Sequence, residues 1–367
     1  MNMSSKIAGS VLVLLVLAGS ALAVAISHNS PCGAAPSVVT TQPMKAAVYR
    51  CYGSADVVRI EALPRPIPAD LGVLVRVRAS SVNPLDWHYM RGEPYVVRAS
   101  SGWGAPNDIL LGTDVAGVVE AVGKSVTRFK PGDEVFGAGD GGFAQYLRIP
   151  ENAALALKPT NLTFAQAAAV PVAAITALQA LRDQGQLKAG QKVLINGAGG
   201  GVGTFAVQIA KALGADVTAV TNGGSLALVR SLGADHVIDY DQEDFTQRPE
   251  HYDLIVDLSG NHPLSDCRRV MTPDGTYVLA GDTSKGRWVG PIAALGKAFV
   301  VSKFVKQKLV PFIAKLNQAD LASLADMLQS GKVKPVIDRQ YPFEQIAAAI
   351  RYQETGHARG KVVVTVD

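Results

Sequence analysis

The chain has 367 residues, of which 48% are hydrophobic and 18% are charged, and its formal net charge is +4. This length suits two domains with an appended segment. The charge is small and scattered, and basic residues do not alternate with aromatic ones, which excludes a nucleic-acid-binding protein. The three cysteines, Cys32, Cys51 and Cys267, are odd in number and far apart. We therefore expect neither a disulfide framework nor a metal cluster.

The N-terminus differs in composition from the rest of the chain. Residues 7–26 carry no charge, and such a run is long enough to cross a bilayer as a helix. It also fits a signal peptide, with Lys6 before the apolar run and Ala21–Ala23 as the cleavage site. Because the apolar run is longer than the hydrophobic region of most signal peptides, we expect an uncleaved membrane anchor at residues 1–27. A polar, proline-containing linker follows at residues 28–43.

The folded part of the chain begins at Met44. The segment 71–84 alternates Val73, Val75 and Val77 with Leu74, Arg76 and Arg78, which predicts a half-buried strand. The segments "GTDVAGVVEAVG" and "GDEVFG" predict further short strands joined by turns. Residues 44–162 are therefore predicted to form an all-β, barrel-like domain.

A glycine-rich turn separates a predicted strand from a predicted helix. The apolar run 192–196, "KVLIN", predicts a buried strand. Residues 205, 209 and 213 are apolar and four apart, which predicts a helix with one buried face. The turn between them aims free backbone N–H groups at one point, where an anion fits. Ala198, Gly200 and Gly203 occupy the three positions of the dinucleotide-binding fingerprint.

Further strands and helices alternate after this unit, which predicts a parallel, doubly wound sheet of the Rossmann type over residues 163–312. The later strands are predicted at 216–221, 236–239, 252–260 and 275–281. The tail, residues 313–367, returns to strand, helix and strand. It is predicted to complete the β domain, so that the Rossmann unit is an insertion within it.

Seven motifs carry a family resemblance. They are "SVNPLDWHYMRG" (81–92), "LGTDVAGVVEAVG" (111–123), "RFKPGDEVFG" (128–137), "AAAVPVAAITALQAL" (167–181), "NGAGGGVGTFAVQIAK" (196–211), "LGADHVIDY" (232–240) and "GHARGKVVVTV" (356–366). In this order they resemble the medium-chain dehydrogenase/reductase superfamily. Within it they are similar to the zinc-free quinone and enone reductases, and above all to the reticulon-4-interacting-protein-like oxidoreductases. The resemblance implies a GroES-like catalytic domain, a Rossmann domain, and a pyridine nucleotide in the cleft between them.

The superfamily also contains zinc alcohol dehydrogenases, so the metal must be considered. Catalytic zinc needs three protein ligands and an open position. The zinc branch has a cysteine where this chain has Asn83, and a His-Glu pair where it has Thr113 and Asp114. A lobe with four cysteines is also missing, because no cysteine lies between Cys51 and Cys267. We therefore expect an enzyme that binds no zinc.

Without a metal, hydrogen bonds must polarise the substrate carbonyl. Asn83 matches the family's asparagine beside the nicotinamide. His88 falls where related quinone reductases carry a tyrosine that faces the cleft, and a protonated histidine could supply the proton that follows hydride addition. Tyr89 and Tyr95 are weaker candidates for this proton donor. Thr176 resembles a residue of the family's cleft-lining helix.

The expected cofactor is NADP rather than NAD. In NAD enzymes an acidic residue ends the second strand and binds the ribose, whereas Thr221 stands there and no acid follows in "TNGGS". The basic residue that relatives carry in this loop is missing too, so NAD remains an alternative. The residues expected to bind the cofactor are Thr176, Ala198, Gly200, Gly201, Val202, Gly203, Thr221, Asn222, Ser225, Tyr240, Gly260 and Gly281.

The segment 285–315 combines aliphatic residues, Trp288 and several lysines. It lies beyond the fifth predicted strand, where the family places substrate-pocket and dimer-forming elements. Three interpretations remain open: a pocket lid, an amphipathic surface on the bilayer, and helices that pack on the domain or at the seam of a homodimer.

The expected function is hydride transfer from NADPH to a quinone or another α,β-unsaturated carbonyl. One alternative is a metal-free alcohol or aldehyde oxidoreductase, and another is a nucleotide-binding sensor or scaffold without turnover. The membrane side is contested. After Lys6 the next basic residue is Lys45, so the positive-inside rule places the folded part outside. NADPH is regenerated in the cytoplasm, and we expect the catalytic domain there, with export as the alternative.

Overall fold

The computed structural model describes residues 20, 22–34, 42–281, 286–288, 296 and 298–366. The strands in chain order are β1 (Pro43–Val48), β2 (Arg59–Pro64), β3 (Gly72–Val82), β4 (Asp114–Val122), β5 (Glu134–Ala138), β6 (Tyr146–Pro150), β7 (Leu155–Leu157), β8 (Lys192–Asn196), β9 (Asp216–Thr221), β10 (His236–Asp239), β11 (Tyr252–Asp257), β12 (Met271–Leu279), β13 (Lys308–Pro311), β14 (Ile337–Pro342) and β15 (Lys361–Thr365). The helices are α1 (Pro84–Arg91), α2 (Arg98–Ser101), α3 (Phe164–Ala168), α4 (Pro171–Leu178), α5 (Gly201–Ala212), α6 (Leu226–Ser231), α7 (Leu264–Arg269), α8 (Gln318–Gln329) and α9 (Ile346–Glu354).

One sheet has seven strands, six of them in the order β14-β15-β3-β4-β5-β7, while β6 pairs with β3. The valines at 73, 75 and 77 are buried and Arg76 and Arg78 are exposed, as the alternation along β3 predicts, but Leu74 on the opposite face is buried as well. β15 pairs antiparallel with β3, with Val362 opposite Val82. The C-terminal strand therefore joins the sheet that the first part of the chain begins.

The second sheet has six parallel strands in the order β10-β9-β8-β11-β12-β13. The first five in chain order were predicted, and the sixth, β13, was not. β13 lies in the segment 285–315, which we expected to form a lid or helices. It contains four residues and pairs with β12, with Leu309 opposite Tyr277. So short a strand, which begins with Lys308 and ends with Pro311, has no readable alternation. Part of this segment lies outside the described residues.

Helix α4 lies between the two sheets and is almost wholly buried. Its core cluster includes Ala79 and Phe136 of the first sheet together with Val193 of the second. Leucines of α8 pack into the same cluster. Because one core serves both sheets, packing does not mark the domain limits at 162/163 and 312/313, and these limits stay a prediction.

The expected membrane anchor, residues 7–26, lies mostly outside the described residues. Residues 22–27 are helical. Within the part of the chain that the structure describes, no helix is long and apolar enough to span a membrane. The linker beyond this helix is only partly described, up to residue 34 and again from residue 42.

Residues 26–32 are attached to the β domain. Cys32 and Cys51 form a disulfide, which the expectation of no disulfide framework did not include. Counting cysteines could not reveal that the segment folds back onto the body. The buried Arg98 donates hydrogen bonds to the carbonyl oxygens of Ile26 and His28 and to the side chain of Asn29. The start of the predicted linker is therefore fixed rather than free.

Candidate functional site

The predicted glycine turn joins the end of β8 to the start of α5, and Gly200 is the N-cap of α5. A Cβ added at Gly203 would lie 2.6 Å from the Cα of Ala198, so only glycine lets the helix pack this closely on the turn. A Cβ added at Gly200 would have only the Gly197 oxygen within 4 Å, at 3.5 Å. Gly200 thus borders open space in front of the helix N-terminus, where free N–H groups can bind an anion.

This space is a cleft between the two sheets. Nine predicted site residues line it: Asn83, Gly200, Gly201, Val202, Gly203, Thr221, Asn222, Ser225 and Tyr240. They come from the start of α1, the glycine turn, the end of β9 and the residue after β10. The topology therefore brings the expected nicotinamide, pyrophosphate and adenosine ends of the site into one cavity.

Four predicted cofactor residues do not line this cleft: Thr176, Ala198, Gly260 and Gly281. The hydroxyl of Thr176 donates to the carbonyl oxygen of Val172 one helical turn earlier, at 2.7 Å. Ala198 is fully buried. The N–H groups of the two glycines bind Asp257. Three of these residues form hydrogen bonds within the protein and one is buried. A sequence pattern cannot distinguish such a structural residue from one that contacts the cofactor.

His88 and Tyr89, the expected proton donors, also lie outside the set that lines the cleft. His88 Nδ1 donates to the carbonyl oxygen of Glu93 at 2.7 Å. Burial lowers the pKa of His88 below its usual 6.5, so the ring is neutral at pH 7. A neutral ring whose Nδ1 hydrogen is already bonded is a poor acid. The expected role of His88 therefore has no support in this geometry.

Residues 356–361, which precede and begin β15, form one wall of the cleft. This wall was not predicted from the sequence. Gly360 forms a β-bridge with Gly200. A Cβ added at Gly224 would lie 2.9 Å from Arg359 Cζ, so the guanidinium covers the loop after β9. The sequence signal for this wall is the motif "GHARGK" (356–361), which combines two glycines with two cations.

Two buried side-chain oxygens of residues that line the cleft have no hydrogen-bond partner among the described residues: Asn222 Oδ1 and Gln353 Oε1. A buried acceptor without a donor is costly. Ribose hydroxyls and a carboxamide, all present in a dinucleotide, are donors of the right kind. Together with the open space at Gly200, these acceptors show that the residues present fit a bound nicotinamide dinucleotide.

A buried polar network lies at the inner end of the cleft. Its centre is the carboxylate of Asp114, which is fully buried. Oδ2 accepts from Ser81 Oγ at 2.6 Å, from Asn83 Nδ2 at 2.9 Å and from Lys361 Nζ at 3.2 Å. Oδ1 accepts from the backbone N–H of Val172 at 2.8 Å. The carboxylate thus connects β3, the start of α1, β15 and the interdomain helix α4.

A second carboxyl group holds the backbone of this network. Asp86 accepts from the N–H of Asn83 at 2.7 Å, which closes a capping box at the start of α1. Burial raises the pKa of Asp86 to about 7. Its function in this arrangement is to fix where Asn83 enters the helix.

The network does not fit catalytic zinc. Asn83 and Asp114 occupy two of the positions that hold zinc ligands in the zinc branch, and the Lys361 ammonium lies between them, 2.6 Å from Asn83 Oδ1. Within the described residues, no three histidine, cysteine or acidic side chains form a group that could hold a metal ion. A lysine ammonium and an amide do not make a zinc site.

Comparisons with known proteins agree with this architecture. Residues 69–159 match the family described as "Alcohol dehydrogenase GroES-like domain", and residues 232–364 match "Zinc-binding dehydrogenase". The NADPH-dependent alkenal/one oxidoreductase of Arabidopsis thaliana chloroplasts is 36% identical over 88% of this chain and 79% of its own length. The human mitochondrial NAD(P)H oxidoreductase RTN4IP1 is 35% identical over 90% and 92%.

Among solved structures, the quinone oxidoreductase of Coxiella burnetii superimposes with a TM-score of 0.77 and 27% identity, covering 89% of this chain and all of that one. The predicted family, with its Rossmann-like and GroES-like parts, is confirmed. The chain belongs to the medium-chain dehydrogenase/reductase superfamily and is an NAD(P)H-dependent oxidoreductase.

Proposed function

We propose that this protein transfers hydride from NADPH to a quinone or another α,β-unsaturated carbonyl without a metal ion. The observation that carries the proposal is the cleft itself, where the glycine turn and the Lys361–Asp114–Asn83 network face the same space. A relative named for NADPH-dependent alkenal/one reduction and a solved quinone oxidoreductase support the substrate class.

Each part of the cleft has a distinct task in this proposal. Bound NADPH supplies the hydride. The N-terminus of α5 binds the pyrophosphate through its free N–H groups, and Asn222 and Gln353 accept hydrogen bonds from the cofactor. Ala173 and Val202 line the inner part of the cleft, where apolar side chains exclude water from the reacting atoms.

NADP is the proposed cofactor because a cation covers the loop that follows β9. Arg359 lies over Gly224, beside Thr221 and Ser225, which end the strand and begin the next turn. A guanidinium suits a 2′-phosphate, which NAD lacks. An opposing charge is present, because a Cβ on Gly223 would lie 2.9 Å from Asp239 Oδ2. Arg359 thus provides the basic group that the loop sequence itself lacks.

We expect purified protein to oxidise NADPH in the presence of enones or quinones. A panel of enones, quinones, saturated aldehydes and alcohols separates the proposal from its alternatives, followed by loss of NADPH absorbance and by product mass. Turnover only with aldehydes or alcohols would assign the metal-free alcohol or aldehyde oxidoreductase. Tight NADPH binding without turnover of any substrate would assign the sensor or scaffold.

The glycine turn offers a matched pair of variants. Gly200→Val should abolish NADPH binding and leave the melting temperature close to that of the wild type, because the added side chain enters open space in the cleft. Gly203→Ala should destabilise the fold by about 1–3 kcal/mol, the usual cost of overpacking. Fluorescence titration and thermal unfolding measure the two effects. Unchanged NADPH affinity in Gly200→Val would place the cofactor elsewhere.

Arg359→Gln should weaken NADPH binding about 10- to 100-fold, the value of a charge-assisted hydrogen bond, and should leave NADH binding nearly unchanged. Arg230→Gln is the matched control, because Arg230 lies in the same region but does not line the cleft. Titration of both variants with both nucleotides provides the measurement. Equal losses for NADPH and NADH in Arg359→Gln would contradict the proposed phosphate contact.

We also propose that residues 7–26 tether the protein to a membrane, with the catalytic domain on the cytoplasmic face. The contacts of Arg98 with residues 26–29 support a fixed position of the enzyme relative to such a tether. NADPH supply favours the cytoplasmic face, whereas the Cys32–Cys51 disulfide favours export, because disulfides persist in oxidising compartments.

A reporter that is active only outside the cytoplasm, fused after Asp367, decides the side. We expect no reporter activity, recovery of the protein in the membrane fraction after an alkaline carbonate wash, and an N-terminus that includes residues 7–26. An active reporter with an intact N-terminus would place the domain outside. A mature chain beginning near Val24 would show that the segment is a cleaved signal peptide.

A further inference from the structure

The buried Lys361 ammonium contacts Asn83 and Asp114, which stand at positions where the zinc branch of the superfamily carries zinc ligands. We propose that Lys361 is the electrophile of this site: it donates a hydrogen bond to the substrate oxygen that becomes negatively charged during hydride transfer. This inference rests on the proposed function. It assigns a catalytic residue that the sequence analysis did not consider, and it changes the role of Asn83.

The path of the Lys361 side chain determines where its ammonium lies. Its backbone begins β15, next to Gly360, which bridges to Gly200. A Cβ on Gly201 would lie 2.9 Å from Lys361 Cδ, so the aliphatic stem crosses the first turn of α5. The ammonium then reaches Asn83 at the start of α1. Both ends of the side chain therefore lie in the β domain, and its stem lies against the first turn of α5 in the Rossmann part.

The donors and acceptors of the network leave one donor for a substrate. An ammonium has three N–H donors, and the described residues take two of them, at Asn83 Oδ1 and Asp114 Oδ2. The Asn83 amide is itself committed: its oxygen accepts from Lys361 and its nitrogen donates to Asp114 and, at 3.4 Å, to the Ser81 oxygen. Asn83 is therefore a positioning residue that aims the lysine.

Charge balance explains why a cation can stay in this place. The Lys361 side chain is 4% exposed and that of Asp114 0%, and a buried charge is tolerated when it is paired and hydrogen-bonded. The Lys361–Asp114 pair is therefore neutral overall before reaction. A negative charge that develops on a substrate oxygen nearby meets a preorganised donor in a poorly hydrated site, where such an interaction is strong.

The reduction balances with one hydride and one proton. The hydride adds to the β-carbon of the enone, the electron pair of the C=C bond moves to form the enolate, and negative charge develops on the carbonyl oxygen. Lys361 stabilises this oxygen by its free N–H. A proton from water then adds to the α-carbon and gives the saturated ketone. The lysine ends in the same protonation state in which it began.

Comparison of a single variant with a double variant separates this catalytic role of Lys361 from simple neutralisation of the Asp114 charge. Lys361→Met should lower the melting temperature, because Asp114 is left buried and unpaired, and should slow turnover at saturating NADPH by about 100-fold or more, the usual loss of an oxyanion donor. Lys361→Met combined with Asp114→Asn removes both charges. It should recover most of the melting temperature and none of the rate. Lys361→Arg should recover part of the rate, because it keeps the charge.

The outcomes that would overturn the inference are distinct. Recovery of both stability and rate in the double variant would show that Lys361 only neutralises Asp114. A rate loss that disappears at saturating NADPH would make Lys361 a cofactor contact. Loss of wild-type activity on chelator dialysis, with recovery on adding zinc, would restore a metal as the electrophile. An inactive wild type would instead overturn the proposed function, and this inference with it.

Discussion

The structure depends on one buried carboxylate, that of Asp114. It begins β4, accepts hydrogen bonds from β3 and β15, and also accepts one from the backbone of α4. The carboxylate has no exposure to water, and burying its charge would be costly without these donors. They are therefore required together, and they fix the inner end of the cleft. Strands β3, β4 and β15 of the seven-stranded sheet meet helix α4 there, because donors from β3, β15 and α4 together satisfy the carboxylate of Asp114.

Both domains contribute residues to the cleft. The Rossmann part supplies a helix N-terminus and open space, both of which suit an anion. The catalytic part supplies Lys361 and the loop before it, and the bridge between Gly360 and Gly200 holds the two parts in register. One short segment at the end of the chain thus borders both the proposed phosphate sites and the proposed reacting atoms.

Local patterns predicted most of the fold. Strand β8 agrees with its prediction at both ends, and the helix after the glycines follows from apolar residues four apart. These features depend on periodicity and on backbone constraints, which a single sequence displays. The seven motifs also identified the family. Strand β13 was not predicted, because a strand of four residues shows no readable pattern of alternation.

The chemistry of the site was less predictable, because it depends on contacts between distant residues. Lys361 is 278 residues from Asn83 in sequence, and no spacing rule connects them. Asn83 lines the cleft, yet its amide is already bonded within the protein. His88 looked like an acid until burial and its bond to Glu93 were known. A motif gives the position of a residue, and its available hydrogen bonds depend on the tertiary fold.

The most direct test of the account follows the hydride itself in protein stripped of metal. Chelator-treated enzyme is supplied with NADPH deuterated at the transferable position of C4 and with an enone, and the product is analysed by mass spectrometry and NMR. The account predicts one deuterium at the β-carbon, none at the α-carbon, and the same rate as before chelation. Product formed only after zinc is restored, or deuterium on the carbonyl carbon of an alcohol product, would contradict it.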